Sequence, residues 1–170
     1  DYKGAIAQLV AAGLLRHDPK IVAAFLLKYP DELSKKVTGE FLGGEKDFAL
    51  STLREYADMM DFSKLPLDSA LRLFLSGFQL PGEAQKVDRM MERFAVRYCA
   101  ANPGIFDNSD TAYVLAFSII MLNTDLHNPQ VVPEDKMTLE DFVKNCRGGD
   151  PNLDMEFLSG VFDRILHNPI

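Results

Sequence analysis

One segment constrains this chain more than any other. Residues 112–122 form an eleven-residue run broken only by Tyr113 and Ser118, inside a stretch that keeps helical periodicity from 111 to 126. A helix with almost no polar face is either buried all round or presents a second apolar face to a partner. A membrane span needs about 20 apolar residues, so the run predicts no transmembrane segment. The rest of the chain must supply elements to wrap this helix.

Those elements read as helices too, and alternating strand patterns are scarce. Ala5, Ile6, Leu9, Val10 and Leu14 make one apolar face. Asp18-Pro19 is a helix start, since Asp accepts from orphan N–H groups and Pro suits the first helical position. Short segments follow over 19–29 and 31–41, the second ending at Gly43-Gly44, and a longer helix spans about 46–60. Residues 66–78 repeat the pattern, and after Leu80-Pro81-Gly82 a long amphipathic helix covers 83–101. Its apolar side, Val87, Met90, Met91, Phe94 and Tyr98, reads as core; Lys86, Arg89, Arg93 and Arg97 lie on its polar side. Thr138 and Asp141 predict a capping box, and a last helix is expected over 152–167. The pattern predicts an all-α single domain over residues 1–170, without internal repeats or linkers.

Charge and composition narrow the function. With 170 residues, 47% of them hydrophobic, the chain is long enough for a real core. Lys plus Arg number 18 against 25 Asp plus Glu, a net charge of −7. That balance argues against nucleic acid as the partner and against direct membrane insertion or binding to an anionic surface, both of which favour clustered cations. Cys99 and Cys146 make neither a disulfide framework nor a metal cage, which fits a reduced, cytoplasmic setting. The chain opens at Asp1 without a signal peptide and reads as a domain excised from a longer protein.

Conventional chemistry finds little footing. His17, His127 and His167 lack metal-ligand spacing. Gly43-Gly44-Glu45-Lys46 lacks the phosphate-loop frame. Residues 123–134 place Asn, Asp and His at calcium-loop positions one, three and five, but Asn128 stands where that loop needs Gly. No serine carries a nucleophile-elbow signature. No metal site is expected.

Two features stand out. The polar cluster Asn123-Thr-Asp-Leu-His-Asn128-Pro129 closes the apolar helix and would rim any exposed strip, the usual anatomy of a protein interface. In Gln79-Leu-Pro-Gly-Glu83-Ala-Gln85, a tight connection carries Glu83 into the first turn of the next helix. There a carboxylate either complements the helix dipole or stands at a loop tip on a rigid base.

These residues also carry a family resemblance. Phe78-Gln-Leu-Pro-Gly-Glu-Ala-Gln-Lys-Val-Asp-Arg-Met-Met-Glu-Arg-Phe-Ala-Val-Arg-Tyr-Cys99 resembles the first signature of the Sec-seven domain, found in nucleotide exchange factors for Arf small GTPases. Asp110-Thr-Ala-Tyr-Val-Leu-Ala-Phe-Ser-Ile-Ile-Met-Leu-Asn-Thr-Asp-Leu-His-Asn-Pro129 resembles the second. Lys136-Met-Thr-Leu-Glu-Asp-Phe-Val-Lys-Asn-Cys-Arg-Gly148 and the upstream Gly39-Glu-Phe-Leu-Gly43 are similar to family segments as well.

The resemblance implies a right-handed superhelix of about ten short to medium helices with a C-terminal helical cap, and a hydrophobic groove beside the loop bearing Glu83. It implies that Glu83 is a "glutamic finger" that repels the β-phosphate of the GTPase's nucleotide and displaces Mg²⁺. Mg²⁺ and GDP or GTP belong to the partner, so the domain needs no cofactor of its own. Gln85 and Asp110 are implied as supports near Glu83. Tyr113, Phe117, Ile120 and Met121 are groove candidates, and Asn123, Thr124, Asp125 and Asn128 form the rim. The resemblance further implies a cytoplasmic protein recruited peripherally to Golgi, endosomal or plasma membranes by flanking regulatory domains or the lipidated GTPase. The alternative is an exchange-inactive helical scaffold using the same groove.

Two departures stand out. Gln79 replaces an Arg found in many members, and Val131-Val-Pro-Glu-Asp135 differs from a shorter basic connection. At the four positions associated with brefeldin A sensitivity the chain has Phe117, Ser118, Asp125 and Met137. Three match sensitive relatives and Phe117 matches resistant ones, which implies intermediate or weak sensitivity.

Overall fold

The computed structural model describes residues 2–170, which hold nine α-helices and a single 3-10 turn. In chain order these are α1 (Tyr2–Ala11), α2 (Pro19–Lys28), α3 (Lys35–Leu42), α4 (Asp47–Asp58), α5 (Leu67–Leu75), α6 (Ala84–Ala101), α7 (Ser109–His127), α8 (Leu139–Arg147) and α9 (Met155–His167). The 3-10 turn, Pro133–Asp135, occupies the unusual connection after α7. The all-α reading holds, and strands are absent among the described residues.

Local chemistry starts most of these helices. The Asp18 carboxylate accepts from the amides of Lys20 and Ile21, with Pro19 at the first helical position. The Thr138–Asp141 capping box is present in both directions. The last helix begins at Met155 rather than 152, because Asp154 caps the Phe157 amide while Asp150 turns the preceding backbone.

The core is aromatic at its centre. Phe62, Phe74, Phe78 and Phe94 meet one another and Tyr56 edge-on or tilted, and Phe94 stacks on Tyr98, locking α4, α5 and α6 together. Met90, Phe94 and Tyr98 are buried, as their spacing predicts. On the other side of α6, α7 runs against it and is backed by α5, α8 and α9. Asp68, only 1% exposed, is held by the Arg164 guanidinium through two bonds of 2.7 and 2.9 Å, which joins α5 to α9. Both partners are needed there, because a lone buried carboxylate is costly.

The row Lys86, Arg89, Arg93 and Arg97 is not a plain solvated face. Lys86 reaches Glu40, Arg89 the Gly43 carbonyl, Arg93 the Asp58 carboxylate and Arg97 the Met60 carbonyl. Long cationic side chains lay their stems on the protein and reach outward. Here they stitch α6 to α3 and to the end of α4.

Candidate functional site

The apolar helix resolves into two arcs. Ala112, Leu115, Ala116, Ile119 and Leu122 are buried, with Ser118 beside them at 5% exposure. At 3.6 residues per turn, Tyr113, Phe117, Ile120 and Thr124 share the opposite stripe, with Met121 along its edge. Tyr113, Phe117 and Ile120 are half-buried, while Thr124 is exposed and Met121 is 47% exposed. The Tyr113 and Phe117 rings lie 5.9 Å apart. The helix is therefore both a central core element and the floor of an apolar strip.

Glu83 stands beside that strip. It caps α6 with extended backbone, and its side chain is 68% exposed. The Tyr113 hydroxyl donates to Asp88, and the Cys99 thiol approaches the Asn108 carbonyl, so α6 and α7 run antiparallel. Moving from Tyr113 to Phe117 and Met121 thus leads toward Glu83. Hydrogen bonding to Asp88, followed by burial, pushes the Tyr113 phenol up to about 12.

The loop that carries Glu83 rests on α3. The Gln79 amide donates to the Lys35 carbonyl at 3.0 Å, and a Cβ at Gly39 would fall 1.8 Å from the Gln79 carbonyl oxygen. Only glycine permits that approach. Behind Glu83, residues of α3, the start of α4 and the first turns of α6 enclose a cavity of about 330 Å³, lined by Glu40, Phe41, Phe48, Gln85 and Lys86 among others. Gln85 lines the same cavity as Glu83.

Asp110 does not. It lines a separate recess with Asp88, Glu92 and Val96. Ala95, which also lines that recess, is twelve residues along α6 from Glu83, about 18 Å at 1.5 Å per residue. Asp110 therefore lies at the end of the strip away from Glu83.

The rim residues divide. Thr124 faces outward with the stripe. Asn123 turns aside, its Oδ1 accepting from the Ile170 amide at 2.8 Å. The Asp125 carboxylate accepts from the Met137 amide at 2.5 Å, and Asn128 Oδ1 accepts from the Gln130 amide at 2.9 Å. His127 Nε2 lies 2.8 Å from the Ile165 carbonyl. Asn123, Asp125 and His127 thus point to three different partners, which leaves no calcium-loop arrangement among them. Of the four inhibitor positions, Phe117 lies on the stripe, Asp125 and Met137 are joined directly, and Ser118 is buried next to the Cys146 thiol of α8.

Three side chains near the strip have partners that the sequence alone does not show. Glu40 and Lys86 form an ion pair next to Glu83, signalled only by the Gly39-x-x-x-Gly43 spacing that brings α3 close. Lys136 caps α7, its ammonium donating to the carbonyls of Asp125, Leu126 and Asn128 at 3.1, 2.8 and 3.1 Å. A cation at a helix C-terminus complements the macrodipole.

A helical module with an acidic loop tip beside an apolar strip is the class that fold and site define. The chain belongs to the Sec7 domain family, which it matches over residues 1–170. It is 46% identical over 164 residues to brefeldin A-inhibited guanine nucleotide-exchange protein 2 of Arabidopsis thaliana, covering 95% of this chain and 9% of that protein. It is 47% identical over 171 residues to human cytohesin-2, covering 99% of this chain and 42% of that protein. The chain thus spans less than half the length of these relatives. Among solved structures, the Sec7p catalytic domain superposes with a TM-score of 0.88 at 42% identity, covering 99% of this chain and 89% of that one. A Sec7 domain bound to ARF1-GDP and brefeldin A gives 0.89 at 36% identity, covering 99% and 85%.

Proposed function

We propose that this domain accelerates GDP release from an Arf-family small GTPase. The observation that carries the reading is an exposed carboxylate, Glu83, held on a rigid base beside the half-buried stripe of Tyr113, Phe117 and Ile120. In this reading the stripe receives the GTPase switch regions, and Glu83 enters the nucleotide site opposite the β-phosphate and Mg²⁺. A carboxylate facing a phosphate in a desolvated site acts far more strongly than in water. Release is faster only because the domain binds the nucleotide-free GTPase better than the nucleotide-bound form. No bond is made or broken, and the nucleotide and its Mg²⁺ belong to the substrate GTPase.

Membrane recruitment falls to neighbouring domains or to the GTPase's own lipid; no helix among the described residues is long and apolar enough to cross a membrane. The scaffold reading keeps the strip and discards the finger. Fluorescent-GDP release from an N-terminally truncated Arf GTPase separates the two. The exchange reading expects strong acceleration by catalytic amounts of the domain. Absence of acceleration across several Arf isoforms, with the domain folded, selects the scaffold.

The inhibitor positions lead to partial sensitivity to brefeldin A, and Phe117→Tyr is expected to increase it. Exchange unchanged at saturating drug contradicts that expectation.

A further inference from the structure

We propose that Glu40 and Lys86 are positioning residues for Glu83, fixing where its carboxylate sits and preserving the negative charge it presents. The inference deepens the exchange reading and rests on it.

An exposed ion pair three residues apart on a helix is ordinarily loose and weak. The pair here is different. The Lys86 ammonium lies 2.8 Å from Glu83 Oε1 and 2.6 Å from Glu40 Oε2. The Lys86 and Glu40 side chains are only 11% and 15% exposed, against 68% for Glu83. The Lys86 stem runs along Gly43, where an added Cβ would come within 2.8 Å of Lys86 Cβ and 3.2 Å of Cδ. The ammonium is therefore a fixed point rather than a mobile surface charge. Its anchor, Glu40, comes from α3, the same helix that seats the loop through Gly39 and Gln79.

Charge balance gives Glu40 a second role. Glu40 shares the Lys86 ammonium with Glu83, and of the two carboxylates Glu83 is the outward one that a phosphate would meet. Without Glu40, the Lys86 charge would bear more fully on Glu83. Without Lys86, Glu83 would lose its fixed point and Glu40 would be left half-buried without this cation. Hydrogen bonds from Lys86 to Glu40 first, and to Glu83 second, hold the ammonium well above the usual lysine range. It stays charged wherever the exchange assay is run.

The test is kcat and KM for GDP release, with the whole domain and a truncated Arf GTPase. Wild type, Glu40→Gln and Glu40→Asp are compared, each with Glu83 intact and with Glu83→Gln. Misplacing or neutralising the finger should lower kcat about tenfold in Glu40→Gln, with KM for the GTPase little changed. Once Glu83 is Gln, Glu40→Gln should have no further effect. Glu40→Asp, which keeps the charge but retracts it, should fall between and also serves if Glu40→Gln does not fold. Wild-type kcat in the Glu40 variants overturns the proposal, as does an equal loss in both Glu83 backgrounds, which marks a merely structural role. A wild-type domain that does not accelerate release overturns the exchange reading itself, and this proposal with it.

Discussion

Two loops flank the half-buried stripe of α7, and they use charge differently. The loop before α6 is seated by backbone contact with α3 and turns its acidic residue outward, with Glu83 68% exposed. In the connection after α7 Glu134 and Asp135 are exposed, but the cation Lys136 turns back onto the helix end. Lys136 closes on three carbonyls at the end of α7, and Asp125 accepts from the Met137 amide. A charge that meets a partner has to remain accessible, whereas one that holds a loop is consumed by the fold. In the exchange reading, the first loop acts on the partner and the second keeps its own shape.

The comparison breaks most severely at Gly39. Gly39→Val places atoms into the Gln79 carbonyl, where even a Cβ would sit 1.8 Å away. Overpacking should cost about 3 kcal/mol, read as a lower denaturant midpoint. Exchange should fall with it, because the seat of Glu83 moves.

A milder effect is expected at the second loop. Lys136→Met removes one cation from three carbonyls and should cost about 1–2 kcal/mol. Amide exchange should quicken at Met137 and Thr138 while the first loop stays protected. If protection is lost equally in both loops, they are not the independent units described.

The smallest effect lies in the seam between α6 and α7. The Tyr113 phenol is raised from 10.0 to about 12, chiefly by its bond to Asp88. The protonated hydroxyl is favoured in the folded state. Its stabilisation is therefore complete below pH 10 and is lost as pH rises through about 12. The stability difference between wild type and Tyr113→Phe should be constant below pH 10 and shrink above it. Tyr56 and Tyr98, also raised to about 12, cancel in that difference.

Much of this architecture was legible in the sequence because it rests on local rules. Asp18-Pro19 and Thr138–Asp141 start helices through contacts within three residues. The heptad-like apolar side of α6 announces Met90, Phe94 and Tyr98 as core. The two-sided nature of α7 was legible only as an alternative, since burial of one arc depends on which helices surround it. Partners from distant elements were not legible. Glu40 and Lys86 are 46 residues apart, and Asn123 finds the Ile170 amide 47 residues away. The arginine row of α6 looks solvated by composition alone, yet folding gives it carbonyls and carboxylates of α3 and the end of α4. The resemblance implies Asp110 beside Glu83, whereas the antiparallel course of α6 and α7 puts it in a separate recess.

The central claim, that the Glu83 charge acts on the partner and not on the fold, is tested most directly with Glu83→Lys. GDP release and affinity for the nucleotide-free Arf GTPase are measured beside the melting midpoint. The account predicts release slowed by about a hundredfold or more, with melting and affinity close to wild type. Release at the wild-type rate, or a loss of activity that only follows a loss of folding, would contradict it.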